Sequence, residues 1–151
     1  MKSQMDEDQR ARLRAIEPDK SFIVKAPAGS GKTGLLVKRY LRLLSLAESP
    51  EEIVAITFTR KASTEMRNQI QDALESALTK KKPKNEYEED RIKLATDVLK
   101  QDKKKKWRLL DSPDRLRIQT IDGLSTFLTQ RMPILAKFGA QPDVTEDAKY
   151  L

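Results

Sequence analysis

Residues 26–33 read A-P-A-G-S-G-K-T, with a short β-rich run, S-F-I-V-K, just before them and a stretch of helical periodicity just after. Strand, glycine loop and helix in that order are what a phosphate cradle requires. Glycines at 29 and 31 let the backbone curl so that successive N–H groups point at phosphate oxygens. The helix N-terminus that follows adds its positive dipole end. In such a loop Lys32 reaches the β and γ phosphates as a point charge, and Thr33 holds the Mg²⁺ that bridges them. The expected ligand is ATP with Mg²⁺, held by Ala26, Pro27, Ala28, Gly29, Ser30, Gly31, Lys32 and Thr33. Ala26 stands where the general pattern begins with glycine, and is tolerated there if its φ stays negative. The bland alternative is a Gly/Ser turn that merely joins strand to helix.

Composition bounds the rest. The 151 residues are one domain's worth, a length that buries about 68–70% of its unfolded surface when it packs as one body. Charged residues make up 35% of the chain against 38% hydrophobic, so the surface is heavily ionised, while the periodic apolar runs argue against global disorder. With no cysteine, disulfides and thiolate metal sites are excluded, and with no histidine the commonest metal ligand and general base are missing. Any metal is therefore oxygen-bound, most simply Mg²⁺ carried by a nucleotide. The N-terminal M-K-S-Q-M-D-E-D-Q lacks a signal-peptide core, and no stretch approaches the roughly 18 apolar residues of a membrane span. A cytoplasmic protein with no membrane partner is expected.

A pass along the chain gives an alternating order. Residues 6–16 read as a helix ended by Pro18-Asp19, residues 21–26 as a first strand, and residues 31–47 as a helix marked by Leu36, Tyr40, Leu43 and Leu44. Ser49-Pro50 turns into a second strand over residues 53–58, followed by a long helix over 61–78 with Met66, Ile70, Ala73, Leu74 and Ala77 on one face. A third strand over 116–120 leads into a helix with Ile121, Leu124, Leu128 and Leu135 on one side. Strands alternating with helices predict a parallel sheet with right-handed crossovers.

Residues 80–106 differ in kind, with 10 Lys and 1 Arg against 6 acidic residues, so most of the net charge of +7 is local. The K-K-K-P-K run reads as an exposed linker. Ile92, Ala95, Val98 and Leu99 then give a short amphipathic helix that ends in the Lys103–Lys106 run. Two readings stand open: a tract for a phosphate backbone with Trp107 available to stack on a base, or a solvated helix whose charges keep an insertion soluble.

At the second strand, A-I-T-F-T-R-K-A-S-T-E-M-R over residues 55–67 closely resembles the motif that follows the nucleotide loop in UvrD/RecB-like superfamily-one DNA helicases. That resemblance implies contact with single-stranded DNA through Thr57, Phe58, Thr59 and Arg60. Ala62, Glu65, Met66 and Arg67 match the helix, with Ser63 in place of a second alanine. Hydroxyls and an arginine suit phosphates, and Phe58 can stack beneath a base or simply pack in the sheet. The third strand's R-I-Q-T-I-D-G-L, residues 117–124, resembles the next DNA-contacting motif, with Thr120 in register and Asp122 where histidine often stands. Through F-G-A-Q-P at 138–142, the chain is similar to the AddA-like or exonuclease V β subunit-like subgroup. The resemblance also places Gln9 about where such helicases keep a glutamine that reads adenine, although a lone Gln in a charged helix is commonly a surface residue.

A motor of this type needs an Asp-Glu pair at the end of an apolar strand. The acidic pairs at 6–8, 88–90 and 146–147 all follow polar sequence, and Asp122 has no adjoining acid. No catalytic residue is therefore identified. The expected fold is α/β: a P-loop NTPase (RecA-like) parallel sheet with flanking helices, a Lys-rich helical insertion and an incomplete first motor domain. Its expected organisation is motor core over 1–79, basic insertion over 80–107, motor core continued over 108–140, and over 141–151 the start of a region that continues in full-length relatives. The expected function is the ATP-binding N-terminal portion of a 3′-to-5′ DNA helicase of repair or recombination. Single-stranded DNA is its partner, and a second helicase/nuclease subunit is allowed by the resemblance. The alternatives are a non-catalytic nucleic-acid-binding remnant and a small P-loop kinase, for which neither acceptor base nor lid is visible.

Overall fold

A computed structural model of the chain describes residues 2–132. Expectations that fall on Leu135, on 138–142 and on the 141–151 region lie outside them. The described elements run α1 (Lys2–Arg14), α2 (Lys32–Leu44), β1 (Val54–Thr57), α3 (Arg60–Leu78), α4 (Glu86–Lys105), β2 (Arg117–Thr120) and α5 (Ile121–Arg131). Short 3₁₀ turns at Pro50–Glu52 and Pro113–Arg115 lead into the two strands.

The sheet is parallel and two-stranded, with Val54 opposite Arg117 and Thr57 opposite Thr120. Parallel pairing needs a long crossover, and here α3 and α4 supply it. Local chemistry sets the helix ends. The Thr59 hydroxyl accepts the Ala62 N–H at 3.1 Å, the Asn85 side-chain Oδ1 accepts that of Glu88 at 2.9 Å, and the Thr120 hydroxyl accepts that of Gly123 at 3.1 Å. Three glutamates, Glu86, Glu88 and Glu89, occupy the first turn of α4 and three lysines, Lys103 to Lys105, the last. Each set complements the helix dipole at its own end.

The core joins α2 (Val37, Tyr40, Leu41, Leu44), α3 (Ile70, Ala73, Leu74), α4 (Ala95, Val98) and Ile118 of β2. Tyr40 sits within it and donates to the Ile53 carbonyl at 3.3 Å. Burial pushes that hydroxyl well up, so it stays protonated.

Two expectations are corrected. Residues 21–26 form no strand. A strand is a ladder of hydrogen bonds to a neighbour, whereas β-rich composition reports only compatibility with one. Here β1 pairs with β2 instead, and Ile23 stands 90% exposed. The second correction concerns Trp107 alone, since the amphipathic helix expected before it forms as α4. Apolar Ala95 and Val98 bring α4 into the core, where it packs against both α2 and α3. Trp107 is buried and donates its indole N–H to the Glu48 carbonyl at 3.2 Å, which leaves no ring face for a base. Gln101 to the Ala47 carbonyl at 2.8 Å, and an ion pair of Lys105 with Glu48, fasten the same end.

Candidate functional site

The glycine loop is built as its spacing requires. Gly29 and Gly31 adopt φ of 78° and 82°, conformations that cost other residues dearly. Ala26 is not among the non-glycine residues of positive φ. Helix α2 begins at Gly31 with no side-chain cap, so its first N–H groups have no side-chain acceptor and face the loop. Nothing lies within 4 Å of where a Cβ on Gly29 would stand, and the buried Ser30 hydroxyl has no partner. These are unspent donors around an open concavity, a donor set that fits a polyphosphate.

Lys32 folds back on the loop and donates to the carbonyls of Ala26 at 2.5 Å and Pro27 at 2.6 Å. A lysine carries three donors, so this posture leaves one for an anion and holds the loop closed on itself. Thr33 is exposed in the first turn of α2. A cleft of about 330 Å³ beside the loop is lined by Arg12, Phe22, Lys25, Ser30 and Lys32. Arg12 also donates to the Ser30 carbonyl at 3.0 Å and pairs with Asp8 at 2.8 Å.

Gln9 sits away from that cleft, in a neighbouring one of about 200 Å³ with Tyr87, Lys38 and Asp90. Its amide donates to Glu86 at 3.0 Å. Tyr87 rests on α2 at Gly34, where an added Cβ would collide with its hydroxyl. Lys38 stacks 4.7 Å from the Tyr87 ring and pairs with Asp90 at 2.9 Å. In this way α4 is attached to the helix that carries the loop.

The second group of candidates converges at the C-terminal ends of both strands. The register places Thr57 directly opposite Thr120, about 5 Å apart across a parallel pair. Each strand end passes at once into a helix N-terminus, α3 after Thr59 and α5 after Thr120. Thr57 donates to the Thr59 carbonyl at 3.0 Å. Thr59 and Thr120 use their oxygens as caps, which leaves each hydroxyl proton to donate elsewhere. Phe58 is 90% exposed, so it is not a sheet-packing residue, and Arg60 and Asp122 also stand at the surface.

One residue escaped the sequence reading. Arg39 donates to three backbone carbonyls, Ala15 at 2.8 Å, Glu17 at 2.9 Å and Lys20 at 2.8 Å, and stacks on Phe22 at 5.3 Å. It therefore fixes the segment that delivers the chain to the loop. Its only local signal was a basic residue on the half-polar face of α2, indistinguishable from a solvated one.

Known proteins share this sequence in part. The family model described as UvrD/REP helicase N-terminal domain matches residues 5–145. The AddA subunit of the ATP-dependent helicase/nuclease of Clostridium perfringens (strain 13 / Type A) is 41% identical over 63 residues, 40% of this chain and 5% of the relative. Proteins of the same name from Clostridioides difficile (strain 630) and Moorella thermoacetica are 35% identical over 89 residues and 42% over 82. Those stretches cover 56% and 52% of this chain, and 7% and 6% of the relatives. The matched stretches thus span a small fraction of the curated relatives' length. No solved structure matches.

Proposed function

The chain belongs to the UvrD/REP helicase N-terminal domain family, and on that premise we propose that it is the nucleotide-binding start of an ATP-dependent DNA helicase, part of a RecA-like P-loop motor. The observation that carries this reading is the loop itself: two left-handed glycines, an uncapped helix start and an unpartnered Ser30 hydroxyl surround one opening. Loop N–H groups and Lys32 hold the phosphates, and Thr33 holds Mg²⁺. Held there by Thr33, Mg²⁺ would supply neutralisation of phosphate charge. Lys32 must leave the Ala26 and Pro27 carbonyls to do its part, so nucleotide binding and loop opening are one event.

Single-stranded DNA would run across the strand ends. Thr57, Thr59 and Thr120 hydroxyls and Arg60 meet phosphates, exposed Phe58 offers a face to a base, and Asp122 borders the path. Gln9 reads adenine, released from Glu86 as the base enters. The relatives' printed name, which describes one subunit of a helicase/nuclease, supports a partner subunit for the longer assembly; a role in repair or recombination and 3′-to-5′ movement are proposed from the family resemblance alone. Among the described residues no helix is long and apolar enough to cross a membrane, and a cytoplasmic place is part of the proposal. The organisation into motor core, basic segment and continued core is proposed with it.

Titration of the chain with a fluorescent Mg-nucleotide tests the reading. Wild type should bind and Lys32→Ala should bind at least tenfold more weakly, the loss of one charge-assisted contact. Equal affinities would refute the loop assignment. Binding without turnover is expected, since positioning water takes a carboxylate and neither of the described strands ends in an Asp-Glu pair. A DNA-stimulated ATPase of order 1 s⁻¹ abolished by Lys32→Ala would show otherwise. The alternative, a non-catalytic nucleic-acid-binding remnant with its loop intact, would bind both Mg-nucleotide and DNA, and turnover alone would separate it from a motor.

A further inference from the structure

Four arginines gather where α3, β2 and α5 meet, at the end of β2 opposite Thr120. They line a cleft of about 390 Å³ together with Gln119 and Phe127. Arg115 is already engaged, forked onto Glu51 at 2.6 and 3.1 Å. The other three, Arg67, Arg117 and Arg131, have no carboxylate partner among the described residues. Arg117 and Arg131 instead stack on Phe127, 4.4 and 4.9 Å from the ring centre. Stacking on an aromatic ring holds a guanidinium in place and leaves its N–H edge for a ligand.

Two further donors are stranded in the same place. Arg67 gives one N–H to the Ile118 carbonyl at 2.9 Å, but its buried Nε has no acceptor, and neither has the buried Nε2 of Gln119. Buried donors are ordinarily satisfied, and an orphan asks what fills the space beside it. Two orphans and two stacked guanidinia lining one cleft ask for an oxyanion.

We propose that this cleft binds a phosphate group, at a site separate from the glycine loop and independent of the helicase reading. The lining residues carry four arginines against two carboxylates, Glu51 and Asp114, a surplus of two positive charges. That surplus suits a phosphate, a dianion when free and a monoanion within a nucleic-acid backbone, better than a single carboxylate, and its three or two terminal oxygens can share the donors Arg67 Nε, Gln119 Nε2 and the two guanidinia. None of Thr57, Thr59, Arg60 and Thr120 lines this cleft, so the site is not the same as the one at the strand ends. The phosphate belongs either to a free small molecule or to a nucleic-acid backbone.

Nuclear magnetic resonance of the 151-residue chain decides it, read at the arginine Nε–H and glutamine amide signals. Inorganic phosphate should move the Arg67 and Gln119 signals saturably, and should do so equally in Lys32→Ala. The double variant Arg117→Ala/Arg131→Ala should weaken the response at least tenfold, as expected for loss of a charge-assisted contact. Gln119→Glu, nearly isosteric, should do the same and serves if the double variant fails to fold. Displacement of phosphate by a short oligothymidylate would assign the site to a nucleic-acid backbone, and indifference to it would assign the site to free phosphate. Signals that ignore phosphate, that respond equally in both variants, or that move only with a glutamate-rich peptide would overturn the proposal.

Discussion

Replacing Arg39 with alanine should destabilise the chain by about 3 kcal/mol, roughly a charge-assisted bond or two. The guanidinium donates to three backbone carbonyls at 2.8 to 2.9 Å, of which those of Ala15 and Glu17 are partly buried and that of Lys20 is exposed. Hydrogen bonds from charged groups contribute about 1.5–3 kcal/mol each in net terms. They do not add here, because the exposed carbonyl recovers water and the three share one side chain. Loss of the stack on Phe22 adds a few tenths. Against a total of about 5–15 kcal/mol for a domain, the change is large and easily read by urea denaturation with the single tryptophan as probe. Arg39→Lys keeps the charge but not the planar fork, and should recover about half. Nucleotide affinity should fall with Arg39→Ala as well, since the segment leading to the loop loses its tether. A destabilisation below about 0.5 kcal/mol, or a lysine variant indistinguishable from wild type, would refute the view that this arginine organises the approach to the loop.

Other outcomes follow from single contacts. The Arg115 guanidinium holds the Glu51 carboxyl down from 4.5 to about 2, so the stabilisation is complete above pH 4.5 and is lost as pH falls through about 2. Acid denaturation of Glu51→Gln should lack that limb, and an unchanged acid profile would count against the pair. Gly34→Ala should destabilise by about 1–2 kcal/mol through collision with the Tyr87 ring, yet in a Tyr87→Ala background it should stabilise by about 0.5–1 kcal/mol through helix propensity; calorimetric melting of the four proteins reads the cycle, and additivity refutes the contact. Trp107 emission should not move when single-stranded DNA is added, because the ring is buried; quenching by DNA would reverse that reading. Arg60→Ala should weaken DNA binding more than neutralising Lys103, Lys104 and Lys106 together, measured by anisotropy at low salt, with steep loss of affinity as salt rises.

What was legible in the sequence is what acts over a few residues. The two loop glycines and the helix that starts directly after them depend on neighbours within about one helical turn, whereas the caps made by Thr59 and Thr120 were not read from the sequence. The amphipathic faces of α2 and α3 carried their own periodicity, so Tyr40, Leu44, Ile70 and Leu74 were found before any contact was seen.

Pairing was not legible. The run at 21–26 has the composition of a strand and none of the ladder, because composition cannot name a partner. Ile92, Ala95, Val98 and Leu99 announced the amphipathic helix among the lysines at 80–106, but not that α2 and α3 would cover its face. Family resemblance located Thr57 and Thr120 separately, and only the parallel register made them neighbours. Arg39 meets carbonyls 19 to 24 positions away, Arg67 one at 51 and Arg115 its glutamate at 64. A guanidinium at the end of a long flexible stem looks the same in sequence whether it ends in water or on such a partner. Chain closure over those distances selects the partner, which is why the loop's chemistry could be read from eight residues and the arginine sites only from the folded chain.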